Sequence, residues 1–206
     1  MNTIIRSLKP YIDQTILEFD QITDQRRHLL YEIATEIQNT DQLTFICTHN
    51  SRRSHFSQVW AQTAAFYYQV YQIEAFSGGT SVTECNIRTI NALQRAGFLV
   101  NKSHSQENPI YQVRYSEQSA AIKAFSKIYN TKNNPTEGFI GLMCCPEADQ
   151  ECPVIFGAKK RFPLHYIDPK FADGKLSETD TYDQCCRQIS REMFFFIKQV
   201  KNRIEN

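Results

Sequence analysis

Apolar positions in the first forty residues recur at helical spacing: Ile4, Leu8, Ile12, Ile16 and Phe19, then Leu29, Leu30, Ile33 and Ile37. Residues three and four apart share a helix face, so the pattern predicts two amphipathic helices broken near Asp20 to Asp24. From Leu43 the texture changes. Short apolar runs alternate with longer amphipathic stretches, the order expected of an α/β fold built on a parallel sheet. The runs predict strands at residues 43–47, 72–77, 138–143 and 164–167. The intervening stretches predict helices at residues 53–68, 84–96, 117–129 and 182–203. The last of these sets Cys186, Ile189, Met193, Phe196, Ile197 and Val200 on one face, a packing stripe. Residues 108–115 alternate and read as an added strand or hairpin arm. The expected organisation is a helical extension over residues 1–40 and an α/β domain over residues 41–206.

Composition narrows the partners. Hydrophobic content of 41% and charged content of 22% are ordinary for a globular chain, and 23 basic against 22 acidic residues make no case for nucleic acid or an anionic membrane. No apolar run approaches the roughly 20 residues of a membrane span. The start, Met1-Asn2-Thr3-Ile4-Ile5-Arg6, lacks the apolar core of a secretory signal, so a cytoplasmic location is expected. The seven cysteines then read as thiols first. Their number is odd, Cys144–Cys145 and Cys185–Cys186 are adjacent, and the paired Cys-x2-Cys spacing of a zinc site is missing. Reactive or redox thiols are the better reading, with no metal and no cofactor expected.

The densest chemistry lies between residues 47 and 54. Leu43 to Ile46 deliver Cys47 into the loop Thr48-His49-Asn50-Ser51-Arg52, and Arg53 and Ser54 open a helix. A strand that turns into a helix gathers backbone N–H groups at one point, and the helix dipole adds positive potential there. Such a nest binds a tetrahedral oxyanion and favours a thiolate. Arg53 can fork two N–H groups onto the anion. Ser54 can offer its hydroxyl to the sulfur, and Asn50 can hold the loop's shape through side-chain-to-backbone bonds. Arg52 reads as surface charge. In open α/β sheets ligands sit beyond the carboxyl ends of the strands. Cys47 and Ser77-Gly78-Gly79-Thr80 end the first two predicted strands, and Cys144-Cys145 and Asp168-Pro169 follow the other two, so four elements are expected on one rim.

Cys47, Arg53 and Ser54 near the start of an α/β domain, with Asp168-Pro169 late in the chain, resemble the low-molecular-weight protein tyrosine phosphatases. The stretch Cys145-Pro146-Glu147-Ala148-Asp149-Gln150-Glu151-Cys152-Pro153 brings the chain nearer to the thioredoxin-coupled arsenate reductases built on that fold. The resemblance implies a three-layer sandwich with a central four-stranded parallel sheet, flavodoxin-like and of the phosphatase-I type, here carrying an N-terminal helical extension. It also implies an order of events. Cys47 attacks arsenate; Cys145 attacks the Cys47 sulfur and releases arsenite; Cys152 attacks Cys145; and thioredoxin reduces the resulting bridge. Pro146 to Glu151, polar and acidic, read as an exposed mobile loop. Residues 48–54 would hold the oxyanion, and Asp168 would act as general acid or base.

The chain departs from the family where His49 stands for glycine, Arg52 for the reductases' cysteine, and Lys170-Phe171 for the phosphatases' tyrosines. Two other readings stay open: a phosphatase that hydrolyses phosphate monoesters through a phosphocysteine, and a non-catalytic oxyanion-binding or redox-sensing module. Cys144 could replace Cys145 in the relay, although the pleat of a continuing strand would point the two thiols apart. Cys85, Cys185 and Cys186 read as packing residues, and His55, His104 and His165 as structural ones.

Overall fold

The computed structural model describes residues 3–37, 42–103 and 107–205; His104 lies outside them. In chain order the elements are α1 (Lys9–Leu17), α2 (Asp24–Glu36), β1 (Gln42–Cys47), α3 (Arg53–Tyr67), β2 (Glu74–Gly79), α4 (Ile87–Ala96), β3 (Leu99–Lys102) and β4 (Tyr111–Arg114). Then follow β5 (Ile122–Ala124), β6 (Phe139–Met143), α5 (Pro146–Glu151), β7 (Ala158–Phe162) and α6 (Glu178–Ile204), with short 3-10 turns at Phe19–Gln21 and Pro169–Ala172. Four parallel strands in the order β2-β1-β6-β7 make the central sheet, and helices cover both faces. This is the expected flavodoxin-like sandwich.

The core follows from the apolar runs. β1 lies in the middle of the sheet with Leu43, Phe45 and Ile46 fully buried, which is why its sequence is continuously apolar. On α3 nearly every side chain is buried, because the helix lies between the sheet and α6. Trp60 sits at this junction. It stacks on Tyr11 of α1 at 5.2 Å between ring centroids and meets Phe98 edge-on at 4.8 Å. The predicted stripe on α6 is buried from Cys186 to Val200. The two N-terminal helices pack on α6 as well. Arg26 pairs with Glu192 at 2.8 Å, and Arg187 pairs with Glu18 at 2.9 Å.

Three expectations fail for physical reasons. The fourth strand is β7, not residues 164–167. β7 reads Ala-Lys-Lys-Arg-Phe and occupies a sheet edge, where polar side chains meet water and no apolar alternation is required. Leu164 and Tyr166 are buried between more exposed neighbours, so the next segment imitates a strand in sequence. The predicted helix over residues 117–129 is instead a bend followed by β5. Ala120, Ala121, Ala124 and Ile128 happen to fall at helical spacing, but pairing with β4 in the antiparallel sheet β3-β4-β5 overrides that pattern. β4 itself is the predicted added arm. Pro146 to Glu151 form a helix rather than a mobile loop: Pro146 suits a first helical turn, and Cys145 caps it by accepting the Ala148 N–H.

After β5 the chain returns to the edge of β2. The Gly79 N–H donates to Lys127 O at 2.8 Å, and the Tyr129 N–H donates to Gly79 O at 3.0 Å. This return places Ser126 and Lys127 beneath the loop that follows β1.

Candidate active site

The loop from Cys47 to Arg53 is held from outside by its carbonyls. Cys47 O accepts from Thr80 N at 3.2 Å, Thr48 O from Ser81 N at 2.9 Å and Ser51 O from Asn86 N at 3.0 Å. His49 O accepts the Ser126 hydroxyl at 2.8 Å. In a trans peptide the N–H points opposite to the C=O, so carbonyls turned outward turn the N–H groups of the following residues toward the pocket. Gly79 is needed at this seam. A Cβ there would stand 2.7 Å from Thr48 O and 2.9 Å from Asn50 N, both backbone atoms.

Asn50 takes the loop's left-handed corner at φ 46°, a conformation asparagine tolerates better than most residues. Its amide Oδ1 accepts the Lys127 N–H at 3.1 Å, and its Nδ2 donates to Ser54 Oγ at 3.0 Å. Ser54 Oγ lies 3.0 Å from Cys47 Sγ and, with the Asn50 amide occupying one of its lone pairs, can donate to the sulfur. His49 does not occupy the left-handed corner. Its Nδ1 lies 2.8 Å from Ser81 Oγ at the rim.

Asp168 closes the other side. Arg53 Nη2 donates to its Oδ2 at 2.7 Å, and Arg52 Nε donates to its Oδ1 at 2.8 Å. Arg52 is therefore not surface charge: it is 9% exposed and engaged. Burial by itself pushes the Asp168 carboxyl up, but the hydrogen bonds and charges of Arg52 and Arg53 prevail and hold it below the usual value. Arg53 Nη1 also donates to Tyr166 O at 2.9 Å, which fixes the guanidinium plane. Asp168 precedes Pro169 in extended backbone at φ −75° and ψ 120°, and it caps the 3-10 turn through Lys170 N.

A cavity of about 430 Å³ opens over Cys47, lined by Thr48, His49, Ser51, Arg52, Arg53 and Asp168, and closed by Glu147, Glu151 and Lys170. The last three were not among the candidates from sequence. Glu147 and Glu151 are four apart on α5 and so share a face, a signal visible only once that segment is known to be helical. Nothing in the sequence points to Ser126, Lys127 or Tyr166, which support the loop from distant parts of the chain.

The cysteines divide as the pleat requires. The Cys144 N–H donates to Ile46 O at 2.6 Å, so the strand continues one residue past β6. The Cys144 thiol turns into the core, 3.7 Å from Ser57 Oγ, and burial pushes it well up from the ordinary thiol value. The Cys145 thiol turns to the loop, 3.6 Å from Thr48 Oγ1. Burial raises it too, opposed by the Ala148 N–H and the Thr48 hydroxyl. Cys152 ends α5 and is half-buried. Cys85 and Cys186 are buried, with Cys186 accepting the Trp60 N–H at 3.2 Å. His55 is fully buried, and desolvation and the nearby Lys127 ammonium push its imidazole down to about 3.

Compared by sequence, the chain matches no family model and no curated protein. Compared by structure, it is similar to a mutant of YwlE from Bacillus subtilis, with TM-score 0.52 and 16% identity over 81% of this chain and 100% of that one. A low-molecular-weight phosphotyrosine phosphatase from Vibrio cholerae O395 matches with TM-score 0.50 and 15% identity, over 76% of this chain and 94% of that one. The fold is that of the low-molecular-weight phosphotyrosine phosphatases. A further solved structure, described as YwlE arginine phosphatase with a phosphorylated active-site serine, matches with TM-score 0.52 and 16% identity over 80% of this chain and 95% of that one. Within this phosphatase fold, the strand-loop-helix at Cys47 opens at the carboxyl edge of the sheet. Among the described residues, no helix is long and apolar enough to cross a membrane, and no cluster of His, Cys, Asp and Glu is arranged to hold a metal ion.

Proposed function

We propose that this chain is an arsenate reductase, using Cys47, Cys145 and Cys152 in turn with a thioredoxin-like dithiol protein as the final reductant. The observation that carries the reading is the Cys145 thiol, which reaches Thr48 of the anion loop at 3.6 Å while Cys152 ends the helix that Cys145 begins. Hydrolysis has no use for either thiol. In the reduction, the Cys47 thiolate attacks the arsenic of a protonated arsenate within the loop; an S–As bond forms as an As–O bond breaks, and that oxygen leaves as water with a proton from solvent. The Cys145 thiolate then attacks the Cys47 sulfur. An S–S bond forms, the S–As electron pair stays on arsenic, and arsenic leaves as arsenite, two electrons richer. Cys152 next attacks the Cys145 sulfur and frees Cys47 as a thiolate. The external dithiol reduces the Cys145–Cys152 bridge and is itself oxidised.

The anion's negative oxygens are matched by the loop N–H groups and by Arg53, which must exchange part of its bond to Asp168 for the substrate. The second reading is hydrolysis of a phosphorylated protein side chain; the matched structures are described as phosphotyrosine and arginine phosphatases. An ester leaving group needs a proton from a carboxylic acid. Asp168, held ionised between two guanidinium groups, is poorly set to supply it.

The test is a paired assay: arsenate-dependent NADPH oxidation with thioredoxin and its reductase, beside hydrolysis of an aryl phosphate and of phosphoarginine. The reductase reading predicts turnover in the first that is lost in Cys145→Ser and in Cys152→Ser. Turnover only in the second makes the chain a phosphatase. Oxyanion binding without either makes it a sensor or binding module.

A further inference from the structure

Cys145 and Cys152 must meet for the relay to finish, and α5 keeps them apart. They stand at its two ends. Seven steps of α-helix rise about 10 Å, whereas bonded cysteines have Cα atoms roughly 4.4–6.8 Å apart. The helix therefore has to open. Little apolar packing resists this, since Ala148 is the one residue of α5 that is buried. A helix of this length is not stable by itself. What holds it is polar and converges on Asp149. His165 Nε2 lies 2.9 Å from Asp149 Oδ2. Arg161 Nη2 pairs with Asp149 Oδ1 and donates to Asp149 O at 3.1 Å, while Arg161 Nη1 donates to Pro153 O at 2.7 Å. One guanidinium thus ties both the middle of α5 and the residue after Cys152.

We propose that Arg161 and His165 are positioning residues of the relay, clamping α5 through Asp149 and setting the cost of bringing Cys152 to Cys145. The inference rests on the reductase reading. The clamp is also joined to the anion site by a short piece of backbone. Next to His165, Tyr166 donates its N–H to Cys144 O at 3.1 Å and accepts Arg53 Nη1 at 2.9 Å, and two residues on Asp168 holds both arginines. When Arg53 turns to a bound oxyanion, it pulls on the segment that carries one arm of the clamp. Opening α5 lets the Cys152 thiolate attack the Cys145 sulfur of the Cys47–Cys145 bridge. The new bond forms as the old one breaks, with its electron pair on Cys47 and no net oxidation.

The experiment uses the full chain with Cys47→Ser, so that the pair is read without arsenate. Protein is equilibrated across ratios of reduced to oxidised glutathione, which supplies or accepts the two electrons. The Cys145–Cys152 bridge is then quantified by differential alkylation and peptide mass spectrometry. Asp149→Asn, which keeps the side chain's shape, removes the charge both arms hold. It should raise the equilibrium constant for bridge formation about tenfold, roughly 30 mV toward a more reducing potential. Arg161→Lys, which keeps the charge and loses the fork, should fall between the two. Potentials in both variants equal to that of Cys47→Ser alone, whose clamp is intact, overturn the clamp and leave the relay standing. No bridge in any protein at any ratio overturns clamp and relay together.

Discussion

The anion loop and α5 face each other across one cavity and are built in opposite ways. The loop is anchored by carbonyls bonded outward, by Asn50 bridging Lys127 to Ser54, and by Gly79 allowing backbone to touch backbone. Helix α5 is a short element pinned chiefly through Asp149. A site that must stabilise charge works best when its dipoles do not move. A thiol relay works only when its carrier does. Under the proposed reduction, the contrast puts the first chemical step on the rigid side of the cavity and the later exchange on the side proposed to open.

The strongest way to break the comparison is Cys47→Ser. Loss of the nucleophile should cost on the order of a thousandfold or more in every turnover assay, while sulfate or arsenate still binds the loop and raises the melting temperature. Retained turnover would move the chemistry off the loop.

Next comes Asn50→Ala. The Lys127 N–H loses its buried acceptor, Ser54 loses its donor, and alanine is forced to φ 46°. An unpaired buried group and a left-handed alanine together should cost about 2–4 kcal/mol in urea unfolding. Turnover should fall by about a hundredfold through the misplaced nucleophile. If stability falls and turnover does not, the loop is not the preorganised half.

These residues also mark how far the sequence can be read. Cys47, Arg53, Ser54 and Asp168 were legible because a strand, a turn and a helix start concentrate chemistry in a few consecutive positions, and proline fixes the backbone after Asp168. β1 and β6 were legible because burial on both faces demands unbroken apolar runs. β7 was not, since an edge strand can be Lys-Lys-Arg. Of the antiparallel sheet only β4 was, as the added arm over residues 108–115; β3 and β5 take their identity from pairing rather than from pattern. Ser126, Lys127 and Tyr166 reach the site from positions far along the chain; Lys127 and Tyr166 contribute backbone groups, which every residue type carries, and Ser126 a lone hydroxyl. Arg52 was misread because its partner lies 116 residues away in sequence.

Arg52→Gln sharpens the chemical choice with a smaller effect. Asp168 keeps Arg53 and loses one guanidinium, so its carboxyl should rise toward the ordinary carboxylate value. The sign follows from its lowered position in the folded protein. The pairing stabilises the fold above roughly pH 4 and is lost as the pH falls through the folded-state value. With Asp168 still partly in water, the neutral-pH loss should stay under about 1 kcal/mol. Aryl phosphate hydrolysis should rise severalfold, with the alkaline limb set by loss of the Asp168 proton shifted to higher pH. A pH profile identical to that of the wild type would mean that Asp168 is not restrained by Arg52.

The smallest expected effect on turnover tests the pleat at the junction of the two halves. Cys144 and Cys145 are neighbours, yet one thiol faces Ser57 in the core and the other faces Thr48 in the loop. Cys144→Ala removes one buried sulfur and should cost about 1–2 kcal/mol as a small cavity. Arsenate turnover with thioredoxin should stay within about twofold of wild type, since no reacting atom is lost. Cys145→Ser in the same assay should stop the cycle after one arsenate adduct. If the two substitutions are equally damaging, the exchange does not follow the side chains' alternation, and α5 together with the end of β6 must rearrange further than opening one helix.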